Sequence, residues 1–89
     1  MHYKVKYSEE VLKKDLKFIE KNIIQKILVK IDLILTDNPI YGNFIKDLRG
    51  RLAGLKRLKI GVYRIIYKVF EEKEEVLILK ISHRKDAYK

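Results

Sequence analysis

The residues of this chain able to handle a phosphate group fall in two places. Arg57, Lys59 and Arg64 lie within one short run, and His83, Arg84, Lys85 and Tyr88 close the chain. Arginine grips phosphate through two parallel N–H donors, and lysine holds it as a point charge. Histidine ionises in the range that general acid–base work requires, whereas lysine and tyrosine ordinarily ionise near pH ~10. Side-chain type alone therefore leaves base and acid unassigned among Lys59, His83 and Tyr88. Other chemistries lack their parts. The chain has no cysteine, so disulfides and thiolate–zinc sites are excluded. His2 and His83 are too few for a metal site built from protein alone. There is no Walker loop, GxGxxG, Ser-His-Asp set or carboxylate pair, so no cofactor is expected.

The charge is unevenly placed. The net charge is +9, yet residues 46–68 alone hold eight basic side chains (Lys46, Arg49, Arg51, Lys56, Arg57, Lys59, Arg64, Lys68) against one acid, Asp47. Basic surface spread evenly is ordinary solvation; basic surface gathered in one segment argues for an anionic partner.

Strands and helices must position these groups. Tyr3, Val5 and Tyr7 alternate with lysines, as a half-buried strand does. Ser8 before Glu9 and Glu10 is a helix N-cap with acids in the first turn. Val11, Leu12, Leu16 and Ile19 make that helix's apolar stripe, and Lys21-Asn22 reads as its break. A second helix carries Ile23, Ile27, Ile31 and Ile34 at helical spacing, widened by Ile24, Leu28 and Leu35. It must stop before Pro39. Asn38 to Gly54 reads as a surface connection holding at most a short helical turn. Leu55–Ile60, Tyr63–Phe70 and Val76–Ile81 are then three strands joined by Gly61-Val62 and by the acidic Glu71–Glu75. The expectation is a single α+β domain over residues 1–89. Its order is β-α-α-β-β-β, with a four-stranded, mainly antiparallel sheet and a helical hairpin packed on one face. Period two places Leu58 and Ile60 on the helix side. Arg57 and Lys59 then project from the open side, with Arg64 across the turn. The last strand is apolar on both faces and reads as internal. No run of about 18 apolar residues exists, and Met1-His2-Tyr3-Lys4 leads into charge, so a cytoplasmic protein with no membrane attachment is expected.

Taken together, "RLKIGVYRIIYKV" and "ILKISHRKDAYK" resemble the RelE/ParE toxin superfamily, and within it the RelE-like messenger RNA interferases. The shared pattern is Arg57-Leu58-Lys59, Gly61, Tyr63-Arg64-Ile65-Ile66-Tyr67 and His83-Arg84-Lys85-Asp86-Ala87-Tyr88. The stretch "NPIYGNFIKDLRGRLAGL" resembles the loop that precedes the first of these strands. The resemblance implies a toxin of a type II toxin–antitoxin system, a ribosome-dependent, metal-independent endoribonuclease that cuts messenger RNA in the A site by 2′-hydroxyl attack. It carries catalytic roles onto Arg57, Lys59, Arg64, His83, Arg84 and Tyr88. Lys46, Arg49, Arg51, Lys56 and Lys85 are expected to contact RNA. It also implies a cognate antitoxin, with an acidic and partly helical segment, that holds the toxin in a hetero-oligomer. The same fold in its ParE-like form blocks DNA gyrase without chemistry, and that is the alternative. A convergent phosphate-gripping set favours the nuclease, because a gyrase binder has no need of one.

Overall fold

The computed structural model describes residues 2–86. Five strands form one sheet in the order β1-β5-β4-β3-β2: β1 is Lys4–Tyr7, β2 Ile45–Asp47, β3 Lys56–Ile60, β4 Tyr63–Phe70 and β5 Glu75–His83. The edge strand β1 runs parallel to β5, and every other pairing is antiparallel. Two α-helices, α1 (Glu9–Lys13) and α2 (Lys21–Leu35), cover one face. None of the described helices is long and apolar enough to cross a membrane.

The α+β architecture with a helical pair on one face is as the sequence pattern implies, with three differences. The sheet has five strands rather than four, because β2 forms inside the stretch expected to be a loop. β2 has only three residues, too few for alternation to register, and it exists because it pairs with β3, Ile45 opposite Leu58. The first helix is shorter than its apolar stripe. After Lys13 the chain tightens into a 3-10 turn at Asp15–Phe18, and Ile19 and Glu20 are extended, so α2 begins at Lys21 rather than after Asn22. The third difference lies in β5. Ile66 of β4 pairs with Lys80 while Tyr67 pairs with Ile78, so Leu79 is an extra, bulged residue. A bulge reverses which side chains face which way beyond it. Here it turns Ile81 into the core and Lys80 out of it.

The core lies between helices and sheet. Val11 of α1 and Ile27, Ile31 and Leu35 of α2 pack on Leu58, Ile65, Tyr67, Val76, Ile78 and Ile81, all essentially buried. At about 25 cal/mol per Å² of buried apolar area, this layer is the main stabilising term. Ser8 caps α1 as expected, its hydroxyl accepting from Val11 N–H at 3.3 Å. Two polar contacts pin the periphery to the core. Tyr67 Oη donates to the Pro39 carbonyl at 2.8 Å, anchoring the chain that leaves α2. Burial and the Asp47 carboxylate raise the Tyr67 pKa well above the usual phenol range. The Asp15 carboxylate accepts the Ile81 N–H at 2.9 Å, on the edge of β5 beyond the last residue paired with β1.

Three outcomes are expected. Asp15→Ala leaves the Ile81 N–H without that partner and lowers unfolding free energy in urea by about 1–3 kcal/mol. Tyr67→Phe frees the Pro39 carbonyl and costs about 1 kcal/mol. At the β1–β5 seam a hydrogen bond from Lys6 holds the Glu75 carboxyl below its ordinary range. Its stabilisation is therefore present above pH ~4.3, the unfolded value, and is lost as pH falls through the lowered folded value. The stability difference between wild type and Glu75→Gln should accordingly be constant near neutrality and shrink in acid.

Candidate functional site

The β3–β4 hairpin positions the cations. Its turn is two residues, Gly61-Val62, with Gly61 at φ 57, a left-handed conformation that glycine adopts without a Cβ clash. This turn sets Lys59 directly opposite Arg64, and Arg57 opposite Ile66. The open face, away from the helices, is therefore crossed by two adjacent rows. One runs Lys46, Arg57, Ile66, Lys80, and the next runs Lys59, Arg64, Ser82. Neighbours across strands have Cβ atoms about 5 Å apart, and rows two residues apart along a strand lie roughly 6.6 Å apart. Ile66 is buried in the middle of its row, between Arg57 and Lys80 on the neighbouring strands.

The Arg64 side chain is held in place. Arg64 Nη1 donates to the Gly61 carbonyl at 3.0 Å and to the Tyr63 carbonyl at 3.1 Å. The Arg84 N–H donates to the Val62 carbonyl at 2.7 Å. One two-residue turn thus anchors the Arg64 guanidinium and brings the Arg84 backbone beside it. Among the described residues no carboxylate forms an ion pair with Arg57, Lys59, Arg64 or Arg84. Arg57 Nε and Ser82 Oγ are buried without a hydrogen-bond partner there. Arg57 lines a cleft of about 560 Å³ together with Lys46, Asp47, Leu48 and Arg49. Uncompensated cations and unmet donors on one face constitute a surface suited to a polyanion.

The remaining expected site residues divide. Lys46 joins the Arg57 row and Arg49 lines its cleft. Arg51 sits exposed in the 3-10 turn Gly50–Leu52, and Lys85 is exposed in the turn after β5. Lys56 does not join them: it stands on the helix side, opposite Tyr67, and its ammonium is paired with Asp47. His83 also stands on the helix side. It pairs with Tyr63, meets that ring edge-on at a centroid distance of 6.0 Å, and accepts the Lys85 N–H on Nδ1. The reason is the Leu79 bulge, which sends Ser82 rather than His83 to the open face. Tyr88 lies outside the described residues. Lys80, which period two would have buried, is an open-face cation that the sequence pattern concealed.

This arrangement has relatives. The family model for the ParE toxin of type II toxin–antitoxin systems, parDE, matches residues 5–88. The chain belongs to the RelE/ParE toxin superfamily. It is 41% identical over 44 residues to toxin RelG of Mycobacterium tuberculosis, a match spanning 49% of this chain and 51% of that toxin's length. Among solved structures it superposes on a chain of the toxin–antitoxin complex RelBE2 of M. tuberculosis with a TM-score of 0.81 and 28% identity, covering 94% of this chain and all of that one. It is 32% identical to a chain of the RelE–RelB complex of Pyrococcus horikoshii, with a TM-score of 0.75 over 98% of this chain and 100% of that chain. The isolated Escherichia coli RelE toxin shares the fold at 23% identity and a TM-score of 0.68, over 91% of this chain and 83% of that one. The superfamily fold thus presents here a five-stranded sheet whose uncovered face is cationic.

That face should reveal itself in thermal melts. A short RNA oligonucleotide at ten times its Kd should stabilise the wild type by about 1.4 kcal/mol. Arg57→Gln and Arg64→Gln should each reduce this gain, while Lys56→Gln should not.

Proposed function

We propose that this chain is the toxin of a type II toxin–antitoxin pair and that it acts as an endoribonuclease on messenger RNA in the ribosomal A site. The observation carrying this reading is the register that sets Lys59 opposite Arg64 beside Arg57, with the Arg84 backbone tied to the same turn and, among the described residues, no carboxylate in an ion pair with them. In the proposed reaction the ribose 2′-hydroxyl attacks the adjacent phosphorus, and the bond to the 5′-oxygen breaks. The products are a cyclic phosphate and a free 5′-hydroxyl. The 2′-proton goes to a base, and the leaving 5′-oxygen receives a proton from an acid. The nucleophile belongs to the RNA, so the protein's task is to orient it and stabilise charge.

Arg57, Arg64 and Arg84 are assigned to the charge that grows on the phosphoryl oxygens. Lys59 is the open-face candidate for proton transfer, and Tyr88 remains the other. His83 is assigned a positioning role, because its imidazole accepts the Lys85 N–H and packs on Tyr63 on the far side of the sheet. Lys46, Arg49 and Lys80 extend the cationic surface along the RNA, with Arg51 and Lys85 at its margins. A site made of fixed cations with weak acid–base groups depends on the ribosome to present the RNA in line. Two of the similar structures are complexes with RelB antitoxins. By that likeness, and because its basic surface calls for negative charge, this chain is assigned an acidic antitoxin partner, an assignment that places it in the cytoplasm with the ribosome.

The ParE family model supports a second reading, a gyrase inhibitor without catalysis. One pair of assays separates them. Added to a translation reaction, the nuclease should cut messenger RNA within codons on stalled ribosomes. Arg64→Ala or Arg84→Ala should slow cutting by about 100-fold or more. Intact messenger RNA together with inhibited DNA supercoiling would establish the second reading instead.

A further inference from the structure

The row that runs Lys59, Arg64, Ser82 begins one residue before β2. Ile45 pairs with Leu58, so Phe44 stands opposite Lys59, and the Lys59 N–H donates to the Phe44 carbonyl at 2.9 Å. Ile45 packs on the core, and alternation turns Phe44 the other way. Its ring is 57% exposed. Because β2 starts only at Ile45, Ile60 and Gly61 at the end of β3 extend past it. The notch left there is a cleft of about 460 Å³ between Phe44, the end of β3, and Leu33 and Ile34 of α2. Its charged lining residues are Lys30 and Lys59, and none is acidic. An exposed phenylalanine standing alone is ordinary surface. Phe18 is such a case: it is 89% exposed, but its cleft is lined by Asp15 and Asp86 and by no lysine or arginine. Phe44 differs because its cleft reaches the cation row through Lys59, which belongs to both.

We propose that this cleft is a base subsite: one nucleobase of a bound single strand stacks on Phe44 while the phosphate beside it lies on Lys59 and Arg64. The proposal rests on the nucleic-acid reading and gives the site a contact for the base as well as for the backbone. Facing residues have Cβ atoms about 5 Å apart, so one nucleotide spans the ring and the ammonium. A base has apolar π-faces and a polar rim. Phe44 meets one face, Leu33 and Ile34 supply apolar surface to the other, and the rim stays toward Lys30 and solvent. A phenyl ring has no hydrogen-bond donor or acceptor, and every base has a π-face, so the subsite adds affinity with little preference among bases. It also fixes the strand. A phosphate on a flat cationic row is free to slide, whereas a base seated in a notch must unstack to move. The seated base therefore sets which phosphate rests between Lys59 and Arg64.

The probes are a 2′-deoxy pentanucleotide, which lacks the attacking hydroxyl, and a tetrahydrofuran pentamer with the same phosphates and no bases. Fluorescence anisotropy should show the wild type binding the pentanucleotide about ten-fold tighter than the abasic strand. Phe44→Ala should reduce that ratio to about two-fold by weakening the pentanucleotide alone, and Phe44→Tyr should keep it. Unchanged binding of the abasic strand by Phe44→Ala shows that the sheet edge is intact. Phe18→Ala should change neither affinity. Log affinity against log salt should keep its slope in Phe44→Ala and lose about 0.7 in Lys59→Gln, the share of one phosphate in a single strand. Equal affinity of the wild type for the two strands overturns the proposal and leaves the phosphate-binding face standing. Equal loss of both strands in Phe44→Ala, or loss of the ratio in Phe44→Tyr, also overturns it, since either makes the ring a structural part. Binding of neither strand by the wild type overturns the proposal and the nucleic-acid reading together.

Discussion

The two-residue turn between β3 and β4 is the constraint on which the remainder of the molecule hangs. With Gly61 in a left-handed conformation, Ile60 must face Tyr63 and Lys59 must face Arg64. Strand side chains alternate, so that single pairing decides the face of every residue in both strands, and a slip of one residue would exchange them all. The apolar set Leu58, Ile60 and Ile65 then falls under the helices, and Arg57, Lys59 and Arg64 fall on the uncovered side. The same turn offers its carbonyls to Arg64 and to the Arg84 N–H, so the register and the local arrangement of cations have one origin.

The arrangement has a cost. Two unit charges about 5 Å apart repel by roughly 0.8 kcal/mol in water and by about 3 kcal/mol at an effective dielectric constant of about 20. Hydration keeps the cost near the lower figure while the face is bare. Covering the face without supplying negative charge would raise it. Repulsion therefore makes the surface selective, since only a polyanion relieves it on contact. Arg57 Nε and Ser82 Oγ, buried without hydrogen-bond partners among the described residues, support the same conclusion. Stability comes from the opposite side, from the helix–sheet core and from the two peripheral contacts at Tyr67 and Asp15.

A fold of this kind does not by itself dictate an activity. The superfamily includes members described as RelE and as ParE toxins, and this chain matches both names. The feature of this chain that bears on the choice between the two is the cationic open face, ordered by the β3–β4 turn.

Much of this was legible in the linear chain. Local rules sufficed where a residue's neighbours in sequence are also its neighbours in space: the Ser8 cap, the apolar stripe of α2, the stop before Pro39, the glycine turn and the alternation that pairs Arg57 with Lys59 on one face. They also carried the family, because Tyr63-Arg64 and the closing His83-Arg84-Lys85 run are contiguous. Tertiary structure alone decided the rest. β2 is three residues held by pairing with β3, and no three-residue pattern announces itself. The Leu79 bulge lies between the part of β5 that pairs with β1 and the Ile81 N–H that bonds the Asp15 carboxylate. It reverses the alternation along β5, so that Lys80 and Ser82 face the open side and His83 the helix side. Pairing across the sheet is a long-range condition, and a periodicity read along one strand cannot contain it.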